Sequence, residues 1–437
     1  MIKSDSINVI GAGLAGCEAA LQIASHGIHV KLYDMKPNKK SPAHNSDMPA
    51  ELVCSNSLKA ISVDNASGIL KKEMETLGSV VIESAYENQV PAGGALAVDR
   101  KHFSEYINKK IISNNLIEYI HSEITEIPND NITVIATGPL TSENLGEDIK
   151  KISGSNGLYF FDAAAPVISA ETINFDKVFI ASRYGKGSAD YINCPMDREQ
   201  YAIFYNFLIS AETALLKDFE KSSVFEGCMP VEVMAKRGFD TLRFGPMKPV
   251  GLPDPITGKE YYAIVQLRSE NAANSQYNLV GFQTNLKFNE QKKLLKLIPG
   301  LENANIERYG VMHRNTYLRS PGFINKFMQV ISNSNIFFAG QITGVEGYLE
   351  SASSGIMAGI NAAKMFKDEE LVKFPDETIM GSLANYVSGF KGKNFQPMNA
   401  NFGILPPLEN IIKNKKERKA AMAERSINSI KIFENEL

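Results

Sequence analysis

The sequence predicts an α/β protein that has a discontinuous Rossmann-like domain and an inserted α+β domain. Three observations indicate this fold class. A β-prone apolar run near the start leads into a Gly-x-Gly-x-x-Gly turn and a helical pattern. The order of strand, glycine and helix returns at residues 335–366, and turn-rich β-like runs lie between the two copies. We therefore expect residues 1–161 and 326–437 to share one parallel sheet, and residues 162–325 to form the inserted unit.

The first glycine turn carries the features of a dinucleotide site. In such a turn Gly11 permits the tight bend, Gly13 lets a pyrophosphate approach the backbone, and Gly16 lets the helix pack on the strand. The next predicted strand ends in Asp34, 23 residues beyond Gly11, where an acid is needed for ribose hydroxyls. The alternative interpretation is a βαβ unit that binds no ligand. The flanking strand, the helix and the acidic residue favour a dinucleotide-binding site.

Two later turns extend this site. The predicted strand at 131–136 ends near Gly138, and the strand at 335–341 ends around Gly340, before a helix over 349–366. The second helix can direct its N-terminus at the same ligand. Because a flavin needs a larger site than one βαβ half provides, the sequence favours FAD over NAD.

The rest of the sequence predicts a long polar connection and several further helices and strands. A long polar connection spans residues 35–57, and a stretch of that length inside a domain is usually functional. Apolar spacing predicts helices over residues 65–77, 100–112, 198–216 and 289–297, and strands over residues 116–121, 261–267 and 277–283.

Composition and charge indicate which classes of protein this chain can belong to. The chain has 437 residues, of which 44% are hydrophobic and 22% charged, as is typical of a soluble globular protein. A net charge of −3 excludes a global basic field, so any nucleic-acid contact must be local. No apolar run reaches the ~18 residues of a membrane span. The first strand begins near residue 7 and leaves no room for a signal peptide, so we expect a cytoplasmic protein.

The four cysteines form no Cys-x-x-Cys pair, and we expect neither a metal site nor disulfides. Cys54 precedes a predicted helix, and Cys228 lies between a glycine and a proline. Each is either a reactive thiol or a buried inert one. Cys17 and Cys194 are interpreted as buried and inert.

Two histidines and the basic C-terminal segment also leave alternatives open. His313 and His44 are each a polar-site candidate or a structural histidine. Around residues 413–425 the basic side chains exceed the acidic ones, on a predicted helix where Lys415, Arg418 and Lys419 share a face. This helix is either a solvated face or a contact for an RNA backbone.

Seven segments together resemble the folate- and FAD-dependent tRNA (uracil-5-)-methyltransferase family. They match in one order along essentially the whole chain, which the glycine motif alone could not establish. The segments are residues 11–16, 50–58, 90–100, 225–232, 310–316, 340–348 and 394–403.

The resemblance implies formation of 5-methyluridine in the T-loop of tRNA. The carbon would come from 5,10-methylenetetrahydrofolate, and the electrons from FAD reduced by NAD(P)H. It assigns Cys228 as the nucleophile and Cys54 as the general base or its partner, and it places Tyr348 beside the flavin ring. The predicted FAD-binding residues are Gly11, Ala12, Gly13, Leu14, Ala15, Gly16, Asp34, Gly138, Gly340 and Tyr348. Cys17 stands where a smaller residue is expected, which affects only local packing.

Three alternatives remain open. The same chemistry could act on a uridine of large-subunit ribosomal RNA, and an Asn-, Ile- and Lys-rich composition without Trp keeps this open. A small-molecule FAD oxidoreductase would explain the glycine turns but not the two cysteines. A non-catalytic flavin-bound RNA-binding protein would leave the cysteines incidental. No protein partner is evident from the sequence.

Overall fold

The computed structural model describes residues 5–41, 43–128, 130–154, 158–185, 188–214 and 229–437. For residues 158–162, 313 and 314 the description covers the backbone only.

The elements follow one another in three stretches of the chain. The first stretch holds β1 (Ser6–Ile10), α1 (Leu14–Ser25), β2 (His29–Asp34), β3 (Ser57–Ala60), α2 (Ala66–Thr76), α3 (Val80–Glu87), β4 (Gln89–Val90), β5 (Ala95–Val98), α4 (Arg100–Ile112), β6 (Ile117–His121), β7 (Thr133–Ile135) and α5 (Glu143–Ser153). The middle stretch holds β8 (Leu158–Ala163), β9 (Val167–Ser169), β10 (Phe179–Ile180), β11 (Tyr191–Met196), α6 (Arg198–Ser210), α7 (Val231–Ala235), β12 (Ala263–Ser269), β13 (Gln276–Leu279), α8 (Phe288–Lys296), β14 (Ile306–Arg308) and β15 (Met312–Tyr317). The last stretch holds β16 (Ile336–Phe338), α9 (Tyr348–Phe366), α10 (Ile379–Gly389) and α11 (Lys415–Asn435).

Both ends of the chain contribute to one parallel sheet. Its strand order is β16-β7-β1-β2-β6, and Ile336 of β16 lies opposite Thr133 of β7. All of its strand pairs are parallel. The predicted Rossmann-like fold class is therefore confirmed, and the carboxyl ends of the strands lie at one edge, where such sheets bind ligands.

Helices α1 and α9 pack against each other at a distance that only glycine permits. A Cβ atom added to Gly355 of α9 would lie 2.1 Å from the carbonyl oxygen of Ala15. At Gly359 it would lie 2.8 Å from the oxygen of Ala19. This contact holds the two helices side by side on the sheet.

The middle of the chain forms a second, antiparallel sheet. Its order is β10-β11-β12-β13-β9-β14, and its hydrophobic core, which runs from Ala165 to Leu301, is separate from that of the parallel sheet. Strands β8 and β15 form a two-stranded pair, and β3, β5 and β4 form a three-stranded sheet. The proposed boundaries at residues 161 and 325 stay a prediction.

Most predicted elements are confirmed, with shorter bounds. The helix predicted over 198–216 ends at Ser210, because Ala211 is extended and Thr213 forms a β-bridge with Leu286. The strand predicted over 277–283 covers only Gln276–Leu279. The helix expected directly after Cys54 is wrong. Residues 57–60 instead form β3, which pairs with β5, and the next helix begins at Ala66.

Candidate active site

A cleft opens at the carboxyl edge of the parallel sheet. The predicted cofactor residues that line it are Gly11, Ala12, Gly13, Leu14, Ala15, Asp34, Gly138, Gly340 and Tyr348. Gly16 lies one residue beyond the lining part of the turn. The structure thus brings together turns that follow β1, β2, β7 and β16.

The three glycines of the first turn have different surroundings. A Cβ atom at Gly11, whose φ is +100°, would lie 2.6 Å from the oxygen of Ala136, and one at Gly16 would lie 1.7 Å from the oxygen of Gly11. Gly11 and Gly16 therefore permit close packing. Nothing lies within 4 Å of the corresponding position at Gly13, which faces open space in the cleft.

Helix α1 directs an uncapped N-terminus at this open space. Gly13 is its N-cap residue, no side chain caps it, and its first turn contains no acidic residue. The free N–H groups and the helix dipole favour an anion there. The turn therefore fits the pyrophosphate of a dinucleotide such as FAD.

The N-terminus of α9 faces the same cleft. Its N-cap residue is Gly347, with a φ of +121° and no side-chain cap, and Tyr348 and Ser351 of its first turn line the cleft. Two helix N-termini thus converge on one site, as the returning strand–glycine–helix pattern predicts.

Asp34 is buried at the end of β2, and it lines the cleft. It accepts hydrogen bonds from the backbone N–H of Lys36 at 3.1 Å and from the Tyr119 hydroxyl at 3.3 Å. Burial and the Asp34 charge together raise the pKa of Tyr119, so that the hydroxyl stays protonated and donates. A carboxyl group held in this way can accept hydrogen bonds from the ribose hydroxyls of a dinucleotide.

A second cleft joins the first and reaches the antiparallel sheet. Its lining includes Cys54, Lys59, Arg268, Gly281 and Tyr348. The residues that line both clefts are Val53, Pro139, Leu140, Gln341 and Tyr348. The second cleft therefore lies where the parallel sheet, the antiparallel sheet and the turn at Gly347 meet.

Cys54 and Tyr348 are in direct contact although 294 residues separate them in the chain. The Tyr348 hydroxyl accepts hydrogen bonds from the backbone N–H groups of Cys54, at 2.7 Å, and of Ser55, at 3.2 Å. The Cys54 thiol is half-buried, and its Sγ lies 3.6 Å from the carbonyl oxygen of Ala163. Cys54 thus lines the second cleft and contacts Tyr348, which lines both clefts.

Arginines, rather than a helix N-terminus, lie beside the Cys54 loop; Arg268 is buried, and Arg100 and Arg308 are half-buried. Arg100 donates to the carbonyl oxygen of Cys54 at 2.9 Å and forms an ion pair with Glu270 at 2.5 Å. Arg268 donates to the Ser55 hydroxyl at 2.9 Å and also to the side-chain oxygen of the following asparagine. Arg308 lies 3.9 Å from the same Glu270 carboxylate. Arg100 and Arg308 thus share one carboxylate, and Arg268 contacts the loop at the next two residues.

The charge states of these arginines follow from burial and from Glu270. Burial opposes the charged form of Arg100, but the adjacent Glu270 outweighs it and raises the pKa of Arg100. Burial lowers the pKa of Arg268, and burial together with the neighbouring Arg100 lowers that of Arg308. All three remain cationic at neutral pH, and cations close to a thiol favour its thiolate form.

The structure places some of the other predicted site residues, and others lie outside the described part of the chain. Cys228 lies outside the described residues, and so does the side chain of His313, whose backbone belongs to β15. His44 lines the first cleft. Cys17 and Cys194 are fully buried, and burial raises the pKa of both thiols, which agrees with an inert role.

The described residues contain no cluster of three or more His, Cys, Asp or Glu side chains that could hold a metal ion. Within the same residues, no helix combines the length and apolar character needed to cross a bilayer.

Known proteins resemble this chain along its whole length. A family model described as glucose inhibited division protein A matches residues 6–370. The methylenetetrahydrofolate--tRNA-(uracil-5-)-methyltransferase TrmFO of Halalkalibacterium halodurans is 58% identical over 432 residues, which cover 99% of each chain. The chain belongs to the TrmFO family. The TrmFO of Bacillus subtilis is 56% identical over 429 residues, which cover 98% of each chain.

A solved structure supports the fold of this TrmFO-family chain. The Aquifex aeolicus GidA structure, in its form II crystal, has a TM-score of 0.73 and 18% identity, and the match covers 100% of this chain and 74% of that one. The family and fold class predicted from the sequence are confirmed by these comparisons.

The arginine cluster is what sequence reasoning missed in this TrmFO-family site. Arg268 and Glu270 lie at the end of β12, inside a run with the pattern of an ordinary strand, and Arg100 has the position of a helix start. No local motif marks them. Arg100 is the last residue of the matched segment 90–100, and this is a signal that could have found it, whereas Arg268 and Glu270 lie in no matched segment.

Proposed function

We propose that this chain forms 5-methyluridine at C5 of a T-loop uridine of tRNA, with 5,10-methylenetetrahydrofolate as the carbon donor. FAD supplies the reducing electrons when bound and is itself reduced by NAD(P)H. The observation that carries the proposal is the contact between the Cys54 loop and Tyr348 at the junction of the two clefts. A thiol, a nucleotide cleft and a second domain meet at one point.

The chemistry explains why a thiol is needed here. C5 of uracil is a poor nucleophile until a thiolate adds to C6 and generates an enolate, and a base must later remove the C5 proton. We propose that Cys228 is the nucleophile and Cys54 the base or its partner. Arg100 and Arg268 hold the backbone and hydroxyl groups of the Cys54 loop, which positions the thiol.

The relatives favour tRNA as the substrate. The curated relatives named above are tRNA methyltransferases, and nothing in these comparisons supports the ribosomal RNA alternative. The small-molecule oxidoreductase and the non-catalytic RNA-binding protein likewise find no support among them. We propose a cytoplasmic location, where tRNA and reduced pyridine nucleotide are both present.

An omission assay tests the proposed function. Purified protein is incubated with unmodified tRNA, methylenetetrahydrofolate, FAD and NADPH, and digested RNA is examined for 5-methyluridine. We expect the product only when all components are present. Product that forms without the folate, or no product from any RNA, would contradict the proposal.

The C-terminal helix offers a surface for the RNA backbone. The inner face of α11 is buried through Met422, Ala423, Ser426, Ile430 and Phe433. Lys415, Lys416 and Arg418 are exposed, whereas Lys419 lies over the Phe402 ring, with its Nζ 4.7 Å from the ring centroid. The exposed three are therefore the better candidates for binding phosphates.

Reversing Lys415, Lys416 and Arg418 to Glu is expected to weaken tRNA binding. The plot of log affinity against log salt should also flatten, by roughly 0.7–0.9 for each phosphate that is no longer neutralised. Flavin content and NADPH oxidation without RNA should not change. A control that reverses Lys101, Lys109 and Lys151 changes the net charge equally, on α4 and α5. An unchanged slope in the α11 variant would identify that face as merely solvated.

A further inference from the structure

Three large apolar side chains are exposed on two segments of the antiparallel-sheet unit that hydrogen bonds join. The exposed fractions are 83% for Phe244, 57% for Tyr184 and 56% for Val250. Exposed aromatic groups in one place are unusual on a folded surface and indicate a binding site. We call Tyr184, Phe244, Lys248 and Val250 the aromatic rim.

Hydrogen bonds tie the two segments of the aromatic rim together. Arg183 donates to the carbonyl oxygen of Lys248 at 2.8 Å and also to that of Val250. The backbone N–H of Tyr184 donates to the oxygen of Gly251 at 2.8 Å. A Cβ atom at Gly251 would lie 2.4 Å from the Tyr184 ring, so the ring packs directly on that glycine. These contacts join the two segments and hold the Tyr184 ring of the aromatic rim in place.

The aromatic rim adjoins the cleft that contains Cys54. Gly281 lines that cleft, and a Cβ atom added to it would lie 2.7 Å from Pro246, two residues after Phe244. Arg183 also donates to the side-chain oxygen of Gln266 at 3.2 Å. The Gln266 carbonyl oxygen in turn accepts from the backbone N–H of Val280, another lining residue, at 2.9 Å. The aromatic rim is therefore joined to the wall of this cleft through Pro246 and Gln266.

The charged side chains in and beside the aromatic rim are basic, which favours binding of a polyanion. Residues 241–253 contain no acidic residue, and Lys248 takes part in no ion pair among the described residues. Lys236 and Arg237 are exposed just before this segment. Aromatic rings beside cations are the combination that binds unpaired nucleotides, because bases stack on the rings and phosphates meet the cations.

We propose that the aromatic rim binds the unpaired RNA nucleotides next to the target uridine, with Phe244 and Tyr184 stacking on bases and Lys248 contacting a phosphate. The inference rests on the proposed function for the identity of the RNA. It adds a recognition surface on the antiparallel-sheet unit, separate from α11.

Ring-removal variants test the surface through direct binding. Phe244→Ala and Tyr184→Ala are each expected to weaken binding of a fluorescent unmodified tRNA transcript by about 10-fold, the size typical for loss of one stacked base. The KM for tRNA should rise by a similar factor. Flavin content and RNA-independent NADPH oxidation should stay at wild-type levels. Tyr184→Phe keeps the ring and should bind as the wild type does.

Phe175→Ala is the matched control. Phe175 is 51% exposed on the same unit, but it follows Asn174, whose backbone N–H bonds to Gly300 instead of to the rim. Wild-type tRNA affinity in both ring variants would overturn the inference. A changed sedimentation coefficient with unchanged RNA affinity would also overturn it, because the rim would then be an interface between copies of the chain.

Binding and methylation are measured separately in this experiment. A wild-type protein that binds the transcript without methylating it would contradict the proposed function, and the ring variants would still decide whether the rim holds RNA. A protein that methylates normally in both ring variants at low RNA concentration would overturn the rim alone.

Discussion

Replacing Cys54 with alanine is expected to lower methylation of tRNA by at least ~100-fold, the usual size of a lost acid–base group. Cys54 lines the second cleft, and its backbone N–H donates to the hydroxyl of Tyr348, which lines both clefts. Alanine keeps that backbone bond and removes only the sulfur. Flavin content should therefore remain at the wild-type level while 5-methyluridine, measured in digested RNA, is lost.

The other cysteines provide the controls for this prediction. Cys17→Ala and Cys194→Ala should retain activity, since both thiols are buried and burial raises their pKa. Cys228→Ala should be as inactive as Cys54→Ala if the two thiols share the mechanism. Normal methylation by Cys54→Ala would remove Cys54 from the chemistry.

Replacing Gly13 with valine is expected to yield a folded protein without FAD. A side chain at Gly13 meets no protein atom within 4 Å and would extend into the cleft at the N-terminus of α1. A branched side chain there occupies the space in which a pyrophosphate meets the backbone. The variant should lose flavin absorbance and, with it, methylation.

Two further variants distinguish loss of the cofactor from loss of the fold. Gly389→Val at the end of α10 also enters open space but lines neither cleft, and it should keep its flavin. Gly16→Ala would bring a Cβ atom 1.7 Å from the Gly11 oxygen, so it should lower the thermal unfolding temperature itself. Full flavin content in Gly13→Val would show that the turn does not hold the cofactor.

Local sequence motifs were sufficient to predict the cleft that we assign to the nucleotide. The turn at Gly11–Gly16 and the acid at Asp34 follow from chain geometry within one βαβ unit, and the structure places both at the same sheet edge. The returning strand at 336–338 was also predictable, because a buried strand followed by glycine and a helix repeats the first pattern.

Contacts between distant segments could not be predicted from pattern alone. The helix expected after Cys54 fails because residues 57–60 pair with β5, a tertiary contact that overrides local preference, and Lys59 adopts a φ of +64°. Arg268 meets Ser55 across 213 residues, and nothing in the local sequence specifies that pairing. The resemblance assigned Cys54 to the chemistry and Tyr348 to the flavin ring, but no pattern in the sequence predicted the contact between these two residues.

An isotope-labelling experiment tests directly whether this chain transfers a folate-derived carbon to a tRNA uridine. Methylenetetrahydrofolate with a ¹³C-labelled methylene carbon would be supplied with NADPH to the protein and to two RNAs in parallel, unmodified tRNA and a large-subunit ribosomal RNA fragment. We expect mass spectrometry to find the label in 5-methyluridine from tRNA. Label in the ribosomal fragment alone, or unlabelled 5-methyluridine in tRNA, would contradict such a transfer.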